Sequence, residues 1–195
     1  MHDDLLDYNG GIFMTKMAIF LATGFEEIEA VSTIDVLRRG GMTLDLISVS
    51  GNLDVTGGHE ITVKCDRLFY EVDYSDYEVL ILPGGMPGTE NLSKHESLMA
   101  LLPAFYSSGK KLAAICAAPS ILGDLGLLTG KEAIAYPGYE AHLKGATMSG
   151  NQVVTDGNII TAKGAGVAMA FGLEILKWYL DEAEVVELQK KLILT

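Results

Sequence analysis

Cysteine is scarce in this chain. Only Cys65 and Cys116 occur in 195 residues. No Cys-x-x-Cys pair is present, so neither a disulfide framework nor a zinc site is indicated, and a reducing, cytoplasmic setting is expected. Proline is sparse at 5 residues, and no Pro-rich linker, internal repeat or low-complexity segment divides the chain. Positive charge is also short: 14 Lys and Arg stand against 26 Asp and Glu, for a net charge of -12. That balance argues against phosphate-backbone binding, so no nucleic-acid partner is expected, and against attraction to anionic membranes. No apolar run reaches the length of a membrane span. The first residues, MHDDLLDYNGGIFMTK, carry acids where a secretory signal needs basic charge. Residues 1–16 read as a loosely ordered leader, an upstream start or an added remnant, with a single domain over residues 17–195.

What the chain has in quantity is apolar residues, 49% of the total, and 22 glycines. That combination suits an α/β fold with tight strand-to-helix turns. Met17 to Thr23 and Tyr77 to Leu82 are near-continuous apolar runs, as central parallel strands require. Thr43 to Val49 and Lys111 to Ile115 read as further strands. Ile28, Val31, Ile34, Val36 and Leu37 give the spacing of an amphipathic helix closed by Gly40-Gly41. Hairpins are expected between Gly51 and Asp66, turning near Gly57-Gly58, and from Val153 to Ala162, turning at Asp156-Gly157. Helices are expected from Ser97 to Ser108 and from Val167 to Leu180, with a short strand at Ala133 to Ala135 and an amphipathic segment from Glu182 to Leu192. The alternation predicts a doubly wound, mainly parallel sheet with helices on both faces, which binds ligands beyond the carboxyl ends of its strands.

Three loops with distinctive chemistry follow strands and so share that edge. In KKLAAICAAPSILGDLG, Cys116 stands between a buried strand and a helix with Pro119 in its first turn. A helix N-terminus favours thiolate over thiol, which nominates Cys116 as a nucleophile. The competing reading is a small buried apolar residue. In GFEEIE, Glu26 and Glu27 suit solvated acids of a first helical turn. Glu29 lies between Ile28 and Ala30 on a helix that must turn an apolar face inward. Its pKa is therefore expected to rise, leaving a protonated carboxyl that donates to the Cys116 thiolate and shuttles protons. In PGGMPG, Gly84 and Gly85 permit close backbone approach, and their N–H groups with that of Ala117 could cradle an oxyanion; the alternative is merely a sharp turn.

The remaining candidates are weaker. Of the histidines His2, His59, His95 and His142, none sits in a recognisable Cys-His motif. His142 alone has a plausible position. Tyr136, before Pro137-Gly138, can either hydrogen-bond a substrate or simply pack. Cys65 lies in a hairpin and suits a structural or interfacial place.

Together, ILPGG followed by NL, AAICAAP after a buried strand and GFEEIE after the first strand resemble the ThiJ/PfpI superfamily, most closely its Parkinsonism-associated deglycase branch. The resemblance spans Met17 to about Leu180. It implies a flavodoxin-like fold related to class I glutamine amidotransferases, usually homodimeric, with a redox-sensitive elbow cysteine at Cys116 and a protonated glutamate at Glu29. It implies that Cys65 matches a second cysteine near the dimer interface. It further implies cofactor-free, metal-free chemistry on a small carbonyl substrate: conversion of 2-oxoaldehydes or repair of their glycation adducts, with oxidative-stress sensing or chaperone action as the alternative. Thiol hydrolysis and thiazole-monophosphate biosynthesis are more distant implications. Ala117 stands where the protease-like branch carries His, no downstream His-x-Glu follows, and Tyr136 stands where some members place a His.

Overall fold

The computed structural model describes residues 15–194. Residues 1–14 of the expected leader lie outside the described residues, whereas Lys16 already belongs to the first strand. β1 (Lys16–Leu21) leads into α1 (Glu27–Arg39), and β2 (Thr43–Ser48) follows. A hairpin of β3 (Asp54–Thr56) and β4 (Thr62–Lys64), then the short β5 (Arg67–Leu68), precede β6 (Val79–Leu82). α2 (Gly88–Ser93) and α3 (Glu96–Ser107) run on to β7 (Lys111–Ile115) and α4 (Pro119–Asp124). β8 (Glu132–Ala133) pairs in parallel with β9 (Thr147–Met148) outside the main sheet. β10 (Val153–Asp156) and β11 (Ile159–Ala162) form a second hairpin, and α5 (Ala168–Leu176) and α6 (Glu182–Lys191) complete the described elements.

The main sheet has seven strands in the order β10-β11-β7-β6-β1-β2-β5, all parallel except the β10–β11 pair. Alternation along β1 shows why its sequence is apolar throughout. Met17, Ile19 and Leu21 face one core with Ala30, Ile34 and Leu37 of α1 and with Phe171 and Ile175 of α5. Ala18 and Phe20 face the other, with Leu98, Leu102 and Phe105 of α3 and Leu122 of α4. A strand buried on both faces has no polar side to show. The expected doubly wound, flavodoxin-like α/β architecture is what the chain adopts.

Several local expectations need correction. Ile28 and Val31 fit the spacing of the inward face of α1, yet they are 57% and 46% exposed. Ile34, Val36 and Leu37 are buried as expected, and Ala30 and Thr33 join them, because packing against α5 rotates the helix away from its best hydrophobic stripe. Val36 in particular lies where a side chain at Gly172 would stand. The six-residue α2 and the two-residue β5 and β9 carry too few residues to show a period. The short strand expected at Ala133 to Ala135 is instead Glu132–Ala133, and the helix expected to reach Leu180 ends at Leu176.

Candidate active site

Successive strands run to the two sides of β1, so the order of connection reverses between β1 and β6. At such a switch point, the loops beyond the carboxyl ends diverge and leave a crevice. The loops after β1, β6 and β7 converge there. Glu26 N–H donates to the Gly84 carbonyl at 2.9 Å, which ties the first loop to the second.

The three acids of the first loop have three separate tasks. The Glu26 carboxylate caps α1 by accepting the Glu29 N–H at 2.6 Å. Glu27, expected to be a solvated acid, is buried and holds the tip of the β3–β4 hairpin. It accepts from His59 N–H at 2.6 Å, and its other oxygen lies 2.9 Å from His59 Nδ1. Burial opposes the Glu27 charge, but these hydrogen bonds hold its pKa below the usual value. The ligand atoms of Glu26, Glu27 and His59 lie within 4.8 Å of one another, a spacing that could hold a metal ion. Glu27 and His59 are already bonded to each other, so the cluster serves here to pin the hairpin.

Glu29, 1% exposed, turns inward as expected. Its Oε2 accepts the Gly84 N–H at 2.9 Å. Its Oε1 is buried and makes no hydrogen bond. Burial, the largest influence, raises its pKa to about 7, while contact with Cys116 and the Gly84 N–H work against the rise. Gly84 is the spacer between the two reactive side chains. A Cβ added there would stand 2.6 Å from Cys116 Cβ and 2.7 Å from Glu29 Oε2, so only glycine fits. Its N–H is committed to Glu29 and is therefore not free for the expected oxyanion cradle. Gly85, at φ +94°, would collide with the Glu26 backbone if it carried a side chain.

Cys116 occupies the left-handed region at φ +66°, a sparsely populated conformation for a non-glycine residue. It is held there from both ends. Its N–H donates to the Ala162 carbonyl at 2.8 Å and its carbonyl accepts the Tyr136 N–H at 2.7 Å. The turn presents the thiol at the crevice, half-buried rather than sealed. The expected low thiol pKa is not what the surroundings produce. Burial, then the neighbouring Glu29 charge, pushes Cys116 up to about 12, opposed by the Ala117 and Gly85 N–H groups that reach the sulfur. The short α4 that follows does not outweigh this burial.

Glu29 and Cys116 therefore titrate as a unit. The first proton leaves near pH 7 and the second is retained to about 12. Between those limits the pair carries one negative charge and retains one proton. A second charge is too costly because it would repel the first at short range in a desolvated site.

Tyr136 lies beside the pair. A Cβ built on Gly164 would be 3.3 Å from the Tyr136 ring and 4.0 Å from Cys116 Sγ, so Tyr136, Gly164 and the thiol share one wall. Among the described residues, His142 makes no hydrogen bond to this wall. Its Nδ1 lies 2.8 Å from Asp124 Oδ2, on the surface. Cys65 is 2% exposed within the core, and burial pushes its thiol up to about 12. Sequence reasoning missed the Glu27–His59 bond and the loop after β11. The latter had a usable signal: Gly164-Ala165-Gly166 also follows a strand and so falls on the same edge.

A left-handed cysteine elbow above a parallel sheet, with a buried glutamate beside it, defines a thiol-bearing protein of the flavodoxin-like α/β class. The DJ-1/PfpI family model matches residues 15–178. The chain belongs to that family, in its DJ-1 branch. It is 36% identical to Protein DJ-1 homolog B of Arabidopsis thaliana over 92% of this chain and 41% of that one. The chain thus spans about two-fifths of that longer relative. A deglycase of Pyrococcus abyssi is 30% identical, over 83% of this chain and 98% of its own length. Oxidized DJ-1 of Toxoplasma gondii superposes with a TM-score of 0.87 at 33% identity, covering 92% of this chain and 98% of that one. Among the described residues no helix is long and apolar enough to cross a membrane.

Proposed function

We propose that the protein is a cofactor-free glyoxalase or deglycase that acts on 2-oxoaldehydes or their glycation adducts through Cys116 and Glu29. The observation that carries this reading is the Glu29 Oε1 atom, buried and without a hydrogen bond beside an accessible thiol. A carboxyl poised near neutrality can take a proton and return it within one turnover. Cys116 sulfur attacks the aldehyde carbon while the Glu29 carboxylate takes the thiol proton and hands it to the carbonyl oxygen, which gives a hemithioacetal and returns Glu29 to its ionised form. Glu29 then removes the proton from that carbon to form an enediol and returns it to the adjacent carbon, while the hemithioacetal hydroxyl proton passes to the neighbouring oxygen, and a 2-hydroxy thioester results. Water cleaves the thioester, releasing the 2-hydroxy acid and the thiol. Gly85 and Ala117 N–H groups, already directed at the sulfur, are placed to stabilise charge on the adjoining oxygen. Incubation with methylglyoxal should yield lactate without added cofactor, followed by an enzymatic lactate assay; no lactate above the uncatalysed rate would contradict the reading.

The same backbone donors favour a second reading, in which Cys116 is oxidised to a sulfinate and the protein senses oxidative stress. Mild peroxide would then add two oxygens at Cys116 in a protein with no turnover.

The expected homodimer has a candidate face. Ile28, Val31 and Ile61 are 57%, 46% and 56% exposed, and the Ile61 N–H points to the Glu27 carboxylate from beside α1. Apolar side chains gathered in this way suit a second copy of the chain. Light scattering should give twice the chain mass of 20.9 kDa, and Val31→Glu should shift it toward a single chain. An unchanged mass in the variant would remove this face from the interface.

A further inference from the structure

The loop after β11 places a cation in a cavity that adjoins the reactive thiol. A cavity of about 360 Å3 is lined by Tyr136, Pro137, Gln152, Lys163, Val167 and the Gly164–Gly166 turn. It adjoins the site directly, since Gly164 and Tyr136 form the wall against which Cys116 Sγ lies. Lys163 is the only charged residue in this lining, and no carboxylate is present. Among the described residues no acid pairs with Lys163, whereas seven other lysines are held in ion pairs. The Lys163 backbone is fixed by its N–H to the Gln152 carbonyl at 2.9 Å, and its side chain is exposed. In a chain of net charge -12, whose reactive pair itself carries one negative charge above pH 7, a lone cation in the cavity adjoining the thiol is a local reversal of sign.

We propose that this cavity receives the non-reacting end of the substrate, that this end is anionic, a carboxylate or phosphate, and that Lys163 determines the preference. The inference rests on the reading of Cys116 as the attacking group and narrows its substrate to 2-oxoaldehydes or adducts that bear such a charge. Tyr136 and Val167 cover the carbon chain between the aldehyde and the anion. Gln152 is the second polar side chain available to the anion. A charge-assisted hydrogen bond of this kind is expected to discriminate about tenfold in favour of the anion.

Alkylation of Cys116 reads the subsite without requiring turnover. Iodoacetate and iodoacetamide both transfer a two-carbon group to sulfur with loss of iodide, and they differ in charge. The ratio of their rate constants at Cys116, assigned by peptide mass mapping, is expected to exceed the ratio for glutathione in the same buffer by about tenfold. Lys163→Gln should abolish that excess, and Lys163→Arg should keep it. If lactate forms, kcat/KM for 4,5-dioxopentanoate should exceed that for its methyl ester, and Lys163→Gln should erase the difference. A Cys116 ratio no higher than that of glutathione, or one unchanged in Lys163→Gln, overturns the proposal. Charge-selective alkylation in a protein that leaves methylglyoxal intact would retain the subsite and remove the enzymatic reading instead.

Discussion

Cys116→Ser is expected to lower kcat/KM for methylglyoxal by about a thousandfold or more, with the fold intact. Serine keeps the shape of the elbow and can accept the same N–H groups, so φ +66° and the bonds to Ala162 and Tyr136 need not change. What it removes is the nucleophile. A hydroxyl is far less acidic than a thiol, and Glu29 near 7 is too weak a base to activate it without a further partner. Lactate formation measured beside circular dichroism separates loss of chemistry from loss of structure. Turnover within tenfold of the parent would exclude Cys116 as the attacking group.

Glu29→Gln carries two large effects of opposite kind. Turnover should fall by about a hundredfold to ten-thousandfold, the usual range for loss of a general acid–base group. Glutamine can still accept the Gly84 N–H, so that contact is kept while the proton carrier is lost. Stability should move the other way. Burial raises the folded pKa of Glu29 from 4.5 to about 7. Below about 4.5 the acid is neutral in both the folded and the unfolded chain, and the associated stability is fully present. As pH rises through about 7 the folded protein must accept a buried charge that the unfolded chain carries in water, and about 3 kcal/mol is lost. Urea denaturation should therefore show Glu29→Gln more stable than the parent at pH 8 by up to that amount, and similar to it at pH 4.5. A variant less stable at pH 8 would mean that the carboxylate is better solvated or better paired than its unbonded Oε1 indicates.

The parts of this arrangement that were legible in the sequence are those set by local pattern. The apolar β1, β6 and β7, the Cys116 elbow with Pro119 behind it, and both hairpins are short-range features, and a parallel sheet then dictates which edge the loops share. Glu29 was legible because a helix that starts under a sheet must bury one of its first-turn residues. The remainder depended on contacts between distant segments. Nothing near Glu27 in sequence announces His59, which reaches it from the hairpin 32 residues away. The Gly84 N–H looked free until the orientation of Glu29 was known. The thiol's pKa was misjudged because the short helix behind it was weighed without the burial and the neighbouring carboxylate around it. Ile28 and Val31 fitted a hydrophobic stripe, but the direction in which α1 faces is set by its packing on α5. Lys163 is unremarkable in sequence and becomes informative only because Gly164 and Tyr136 carry its cavity to the thiol.

Cys116 keeps its proton until Glu29, ionised near pH 7, can accept it as the sulfur reacts, and the most direct measurement of that transfer is the pH dependence of Cys116 alkylation by iodoacetamide. The parent protein should show reactivity that rises through an inflection near 7, and Glu29→Gln should lose that inflection and react only as the isolated thiol ionises at higher pH. An inflection left in place by Glu29→Gln would show that the carboxyl and the sulfur titrate independently and would contradict the account.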